Sequence, residues 1–269
     1  MNPLRSPLRL AFLVLLLAAS LWAVLSLYRP GLAAYEQKMA TPADPADAGL
    51  TATWLGVSAL LIRDGRHAVM IDPFFTRPPG LLPMLFNRPI APDPGRISRW
   101  LQRLDVRSLD AVLVSHSHFD HAMDAGVVAR MTGARLIGSD STLNIGRGAG
   151  VAATRLQRAE PAQPVEVGPF RITFFESRHA GATGGRPTGD IAAPLRPPAG
   201  YLDYRLGGTF SILVEHARGS LLHHGSAGYA PGVLKGGRAD TGFLVVGRSD
   251  GREPYLQQTV DAVGARVTN

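Results

Sequence analysis

The chain has 269 residues, 45% of them hydrophobic, which allows one sizeable α/β domain beside an apolar leader and excludes disorder as its overall state. It has no cysteine, so disulfides, thiolate metal ligands and a cysteine-linked lipid anchor are excluded, and any metal must rest on His, Asp or Glu. The formal net charge of +7 comes from arginines, apart from Lys38 and Lys235, that are scattered rather than run together, so no nucleic-acid partner is expected.

Residues 1–9 form a basic flank containing Arg5 and Arg9. Leu10–Tyr28 carries no charge and is close to the ~20 apolar residues that span a hydrocarbon core. Trp22 and Tyr28 lie toward its far end, where interfacial aromatics are common. A cleavable signal peptide fits less well, because its apolar region usually runs about 7–15 residues to a small-residue site. A buried globular helix fits least, because the segment is apolar all round. Residues 10–28 are therefore expected to form one transmembrane helix, a signal anchor that leaves the catalytic domain membrane-attached on the extracytoplasmic side. Residues 29–50 lack apolar periodicity and read as a linker.

From residue 51 to 269 short apolar runs alternate with Gly/Pro turns. Trp54–Ile62 and Ala68–Ile71 read as a strand pair joined at Asp64-Gly65-Arg66, the second ended by Asp72-Pro73. Leu109–Ser115 is a continuous apolar strand of the kind buried on both faces. Asp124–Thr132 has helical spacing closed by Gly133, and Ala134–Gly138 is another buried strand. Val165–Phe175 reads as two strands about Gly168-Pro169, and Phe210–Glu215 with Ser220–His224 as a hairpin about Arg218-Gly219. Gly242–Val246 is a further strand and Glu253–Val263 a helix stopped by Gly264. Hairpins followed by strand–helix alternation predict an α/β domain of two sheets sandwiched by helices. Phe75–Ile97 and Gly181–Gly208 resist assignment; both follow candidate site residues and are expected to act as lids.

The chemistry is concentrated in His116-Ser117-His118-Phe119-Asp120-His121, directly after the buried strand. Imidazoles at i and i+2 on extended backbone project to the same side, so His116 and His118 can grip one metal. Asp120 and His121 follow on the turn, where they can face a second. Solvated loop residues or satisfied core histidines would explain one such residue, but poorly explain four within six positions.

The string resembles the HxHxDH signature of the metallo-β-lactamase superfamily, and the resemblance runs from about Thr51 to the end. It is similar to the branch of ascorbate-phosphate lactonases and N-acyl-phosphatidylethanolamine phospholipase D. Further matches are Trp54-Leu55-Gly56, Ile71-Asp72-Pro73-Phe74, Arg178-His179 and Gly225-Ser226-Ala227-Gly228-Tyr229. The resemblance implies an αββα sandwich and a metal-dependent hydrolase with one or two divalent ions, zinc above manganese or iron. It places His116, His118 and His179 on the first metal, and Asp120 and His121 on the second. Asp120 would also act catalytically, and Asp72 would orient a ligand histidine. Two departures stand out. Ser226 replaces the aspartate that usually bridges the metals, a weaker ligand that His224 or His223 would have to support. No histidine follows His224, although the family ends on one, so the domain is expected to lack its last strand. The expected substrate is a phosphodiester, phospholipids included, or an ester or lactone. A scaffold with a degenerate second metal site is the rival reading.

Overall fold

A computed structural model describes residues 7–27, 49–78, 86–180, 188–226, 228–245 and 252–267. The chain divides into two units, residues 1–42 with residue 269, and residues 43–268. In the first, the apolar segment is helical: α1 spans Pro7–Leu27. Among the described residues, however, no helix is long and apolar enough to cross a membrane. Arg9 falls inside α1 rather than ahead of it, so the helix carries a charge in its first turn. This corrects the expected transmembrane helix, and with it the membrane partnership and the extracytoplasmic placement.

The second unit begins with a meander: β1 (Thr51–Gly56), β2 (Ala59–Arg63) and β3 (Ala68–Ile71) pair antiparallel. The single strand expected over Trp54–Ile62 is thus two, because Gly56 and Val57 take positive φ (98° and 53°) and reverse the chain between them. β3 then pairs parallel with β5 (Ala111–Leu113), β5 with β6 (Arg135–Gly138) and β6 with β7 (Leu156–Arg158). The second sheet runs β14-β13-β12-β11-β9-β8: Arg266–Val267, Thr241–Leu244, Gly219–His224, Phe210–His216, Phe170–Glu176 and Pro164–Val167.

Alternation assigns the layers. Val69 and Ile71 of β3, with Ala111 and Leu113 of β5, face Phe170, Ile172 and Phe174 of β9 and Ile212 of β11, forming the core between the sheets. Met70, Val112 and Leu136 point the other way, onto Ile97 and Leu101 of α2 (Pro94–Arg103) and Val128 of α4 (Ala125–Thr132). Leu213 and Leu222 on the outer face of the second sheet meet Val263, beyond α6 (Arg252–Leu256) and the π-helical turn Gln257–Asp261. The order is helix, sheet, sheet, helix: the αββα sandwich.

Two helices lie where none was predicted. Pro94 starts α2 rather than breaking it, because a first-turn proline has no N–H to lose and the Asp93 carboxylate caps the amide of Arg96 at 2.9 Å. α5 (Asp140–Gly148) is capped by Ser139, whose hydroxyl accepts from the Thr142 amide. Gly146 obscures it in the sequence, but a Cβ there would strike Leu136 and Leu156 beneath. The two unassigned segments are also linked. β4 (Pro89–Ile90) pairs antiparallel with β10 (Ala199–Gly200), and Asn87 Oδ1 accepts from the Leu202 amide at 2.8 Å. Their residues 79–85 and 181–187 lie outside the described residues.

Candidate metal centre

The centre lies at the C-terminal ends of β3, β5, β9 and β12, the edge where parallel strands hand over to loops. Past β5 the chain stays extended. The Val114 amide donates to Ile137 O, the Ser117 amide to Leu206 O, and Ser115 O accepts from the Phe210 amide. Held on both flanks, His116 and His118 project together. His118 then serves as N-cap of α3 (Phe119–Ala122), which places half-buried Asp120 and buried His121 in its single turn. His179 arrives from the other sheet, three residues past β9.

One ligand nitrogen each of His116, His118 and His179 lies within 4.8 Å of the others. Their rings stand edge to face, with centroids 4.9 to 5.1 Å apart. A three-imidazole set of this size fits a divalent cation such as zinc. Among the described residues this is the one group of three donors that converges so closely.

Asp72 sits beneath the cluster, fully buried and at φ 46°, a left-handed conformation that aspartate tolerates better than most residues. Its Oδ1 accepts from the Ser115 amide at 2.7 Å. Its Oδ2 accepts from Ser115 Oγ at 2.6 Å, Ser58 Oγ at 3.1 Å and His121 Nδ1 at 2.8 Å. The proton on His121 is thereby fixed on Nδ1, leaving the lone pair on Nε2. Ser115 Oγ, having given its proton to Asp72, is oriented to accept from His116 Nδ1 at 3.2 Å. One carboxylate therefore sets the tautomer of two histidines. Burial pushes Asp72 toward protonation, but His121, through its charge when protonated and its hydrogen bond, then His223 and the Ser115 hydroxyl, outweigh it and hold the acid below its usual range.

The end of β12 resolves which of its two histidines faces the centre. His223 pairs with Ile212 on the inner face, and its Nε2 donates to Ser58 O at 2.8 Å, 3.8 Å from Asp72 Oδ2. His224 points outward: its Nδ1 accepts from Ser211 Oγ at 2.7 Å, its Nε2 donates to Gly228 O at 2.6 Å, and its ring meets Tyr255 edge-on. Both its nitrogens are thus engaged by these partners. Ser226 is turned to the backbone as well, its hydroxyl donating to Arg178 O at 3.2 Å. Gly228 packs on the same stretch, where a Cβ would come within 2.6 Å of His179 C and 2.7 Å of Ala180 N. Ser226, Gly228 and His224 therefore brace the segment carrying His179. Strand alternation in Leu221–His224 was the signal for His223, but the sequence does not say which face of β12 is inward. Ser58 and Ser115 carried no signal at all.

Burial lowers His224 to about 4, partly opposed by the Gly228 carbonyl, with His223 adding to the fall. The unfolded chain therefore binds the proton more readily, near 6.5, and the stabilisation is complete above that pH and lost as pH falls toward 4. A shift of this size corresponds to roughly 3 kcal/mol. Denaturant unfolding of the wild type against His224→Gln should show the wild type losing its advantage over that interval. Parallel curves would contradict the buried neutral imidazole.

The αββα layering and the three-imidazole cluster at the strand ends define a metallo-hydrolase sandwich. The family model of the metallo-beta-lactamase superfamily matches residues 52–250, and the chain belongs to that superfamily. A UPF0173 metal-dependent hydrolase from Heliobacterium modesticaldum is 30% identical over 213 residues, 76% of this chain and 74% of its own length. One from Roseiflexus castenholzii is 28% identical over 153 residues, 56% of this chain and 55% of its own. A variant of the beta-hydroxylase CmlA superposes with a TM-score of 0.50 at 15% identity, covering 84% of this chain and 46% of its own. The chain is thus a metal-dependent hydrolase of this fold, with a histidine cluster able to bind a metal.

Proposed function

We propose that His116, His118 and His179 hold a divalent cation, zinc in first place, and that the chain hydrolyses a phosphodiester. The observation that carries this reading is the convergence of three imidazoles from two different sheets within 4.8 Å. Such a cation supplies a water ionised near neutral pH, its pKa lowered from about 15.7 to about 7.

The chain's own residues do the rest. Asp72 donates no ligand atom; it fixes the rings of His121 directly and His116 through Ser115. Asp120, in the first turn of α3 beside that cluster, orients the attacking water and accepts its proton. His121, its ring centroid 3.8 Å from that of His116, and Asp120 provide a second, weaker metal position. Ser226 stands where a bridging carboxylate would, and its hydroxyl donates to Arg178 O, which would leave that second position the weaker. An asymmetric or single-metal centre follows.

Chelator-treated full-length protein should be inactive and regain phosphodiester hydrolysis with about one equivalent of zinc. Manganese, iron, a lactone, a carboxylic ester and headgroup release from phospholipid vesicles are the parallel arms. Undiminished hydrolysis by the stripped protein would sink the proposal. Restored turnover of lactone but not phosphodiester would move it to acyl chemistry.

A further inference from the structure

The arginines that look scattered in the sequence gather in the fold. α2 presents Arg96, Arg99, Trp100 and Arg103 at i, i+3, i+4 and i+7, one face of a helix, while Ile97 and Leu101 face the core. That face, together with Phe75 and Arg77, lines a cavity of about 880 Å³ with no acidic side chain among the described residues of its lining. Among the described residues none of the four arginines has a carboxylate ion-pair partner.

The cavity has an apolar side as well. Phe75 and Trp100 stack with centroids 5.7 Å apart and planes 18° apart. Arg103 lies over the Trp100 ring at 5.6 Å and Arg77 over Phe74 at 4.5 Å. Arg77 also donates to Phe74 O. Burial and the nearby Arg96 both disfavour its charge, against the pull of buried Asp124.

Like charges three and four residues apart on a helix repel, and among the described residues no ion pair to these arginines offsets them. A bound dianion would offset them, since guanidinium forks match phosphoryl oxygens two at a time. The volume falls within the range of small-molecule sites, about 300–1,000 Å³. We propose that this cavity is a binding site for a small organic phosphate, its phosphoryl group on Arg77, Arg96 and Arg99 and its apolar part against Phe75 and Trp100. Its lining shares no residue with the three-histidine cluster, and the assignment does not depend on the function proposed above.

The test is calorimetric titration of the full chain with phenyl phosphate at low salt, beside inorganic phosphate, phenol and a single-stranded oligonucleotide. Phenyl phosphate should bind saturably, tighter than phosphate or phenol, raise Tm, and weaken as salt rises. Arg96→Gln/Arg99→Gln should weaken it at least tenfold and abolish the Tm rise. Arg103→Gln gives a second, milder variant should the first lose its fold. His118→Ala should leave the affinity within twofold. Binding unchanged in both arginine variants, binding lost with His118→Ala, phenol binding equally well, or stronger binding of the oligonucleotide per phosphate would each overturn the assignment.

Discussion

His116→Ala should strip the metal and lower hydrolysis more than a hundredfold. His116 packs against the other three histidines of the site. Its ring lies 4.9 Å from His118, 5.1 Å from His179 and 3.8 Å from His121, centroid to centroid. Alanine removes one of three converging donors and the only one coupled to Asp72 through Ser115. Changes to outer partners of a ligand typically cost 10–100-fold in affinity or activity, so loss of the ligand sets a larger expectation. Without the cation no group in the cluster ionises water near neutral pH, and general-base assistance from Asp120, about 10²–10⁴-fold at best, has no activated nucleophile to act on. The control is His67→Ala, a half-exposed histidine bonded to Asp110; it should retain both metal and turnover. Elemental analysis and initial rates on the two proteins decide it. Full occupancy and near-normal rates in His116→Ala would refute the three-histidine site.

The features legible in the sequence are those where one local rule dominates. Leu109–Ser115 shows as a buried strand because both its faces are covered, by the second sheet and by α4. The hexad His116–His121 shows because its donors lie within one turn of chain. Elements fail to show where two rules conflict or where long-range contact decides. Pro94 reads as a breaker unless Asp93 is recognised as its cap, and without α2 the face joining Arg96, Arg99 and Arg103 cannot be seen. The apolar run Trp54–Ile62 reads as one strand because positive φ at Val57, a β-branched residue, is rare enough that no pattern anticipates it. The apolar leader illustrates the opposite limit: hydropathy alone predicts a span, yet no described helix is long and apolar enough to make one. The partners of Asp72 come from residues 58, 115, 121 and 223, and no spacing rule connects positions so far apart.

Asp72→Asn should separate the charge of that residue from its backbone role. Asparagine tolerates the same positive φ and nearly the same volume, and its carbonyl can still accept from the Ser115 amide. The other oxygen becomes an NH₂ facing three donors: Ser115 Oγ, Ser58 Oγ and His121 Nδ1. The hydroxyls can rotate to accept, but His121 must move its proton to Nε2, turning its lone pair away from the cluster. A buried donor left unsatisfied costs about 1–3 kcal/mol, and a hydrogen bond to a charged group is worth about 1.5–3 kcal/mol. A loss of about 2–4 kcal/mol in stability and 10–100-fold in metal affinity is therefore expected. The pH dependence gives an independent check on the metal-free protein. Because the folded protein holds Asp72 below the ordinary carboxylate range, its contribution is complete above about pH 4 and disappears as pH falls through the lower folded value. The gap between wild type and Asp72→Asn should stay constant from neutrality down to about pH 4 and close below it. A gap that widened on acidification would mean that Asp72 is held protonated in the fold. In that case it could neither fix the proton on His121 nor orient His116.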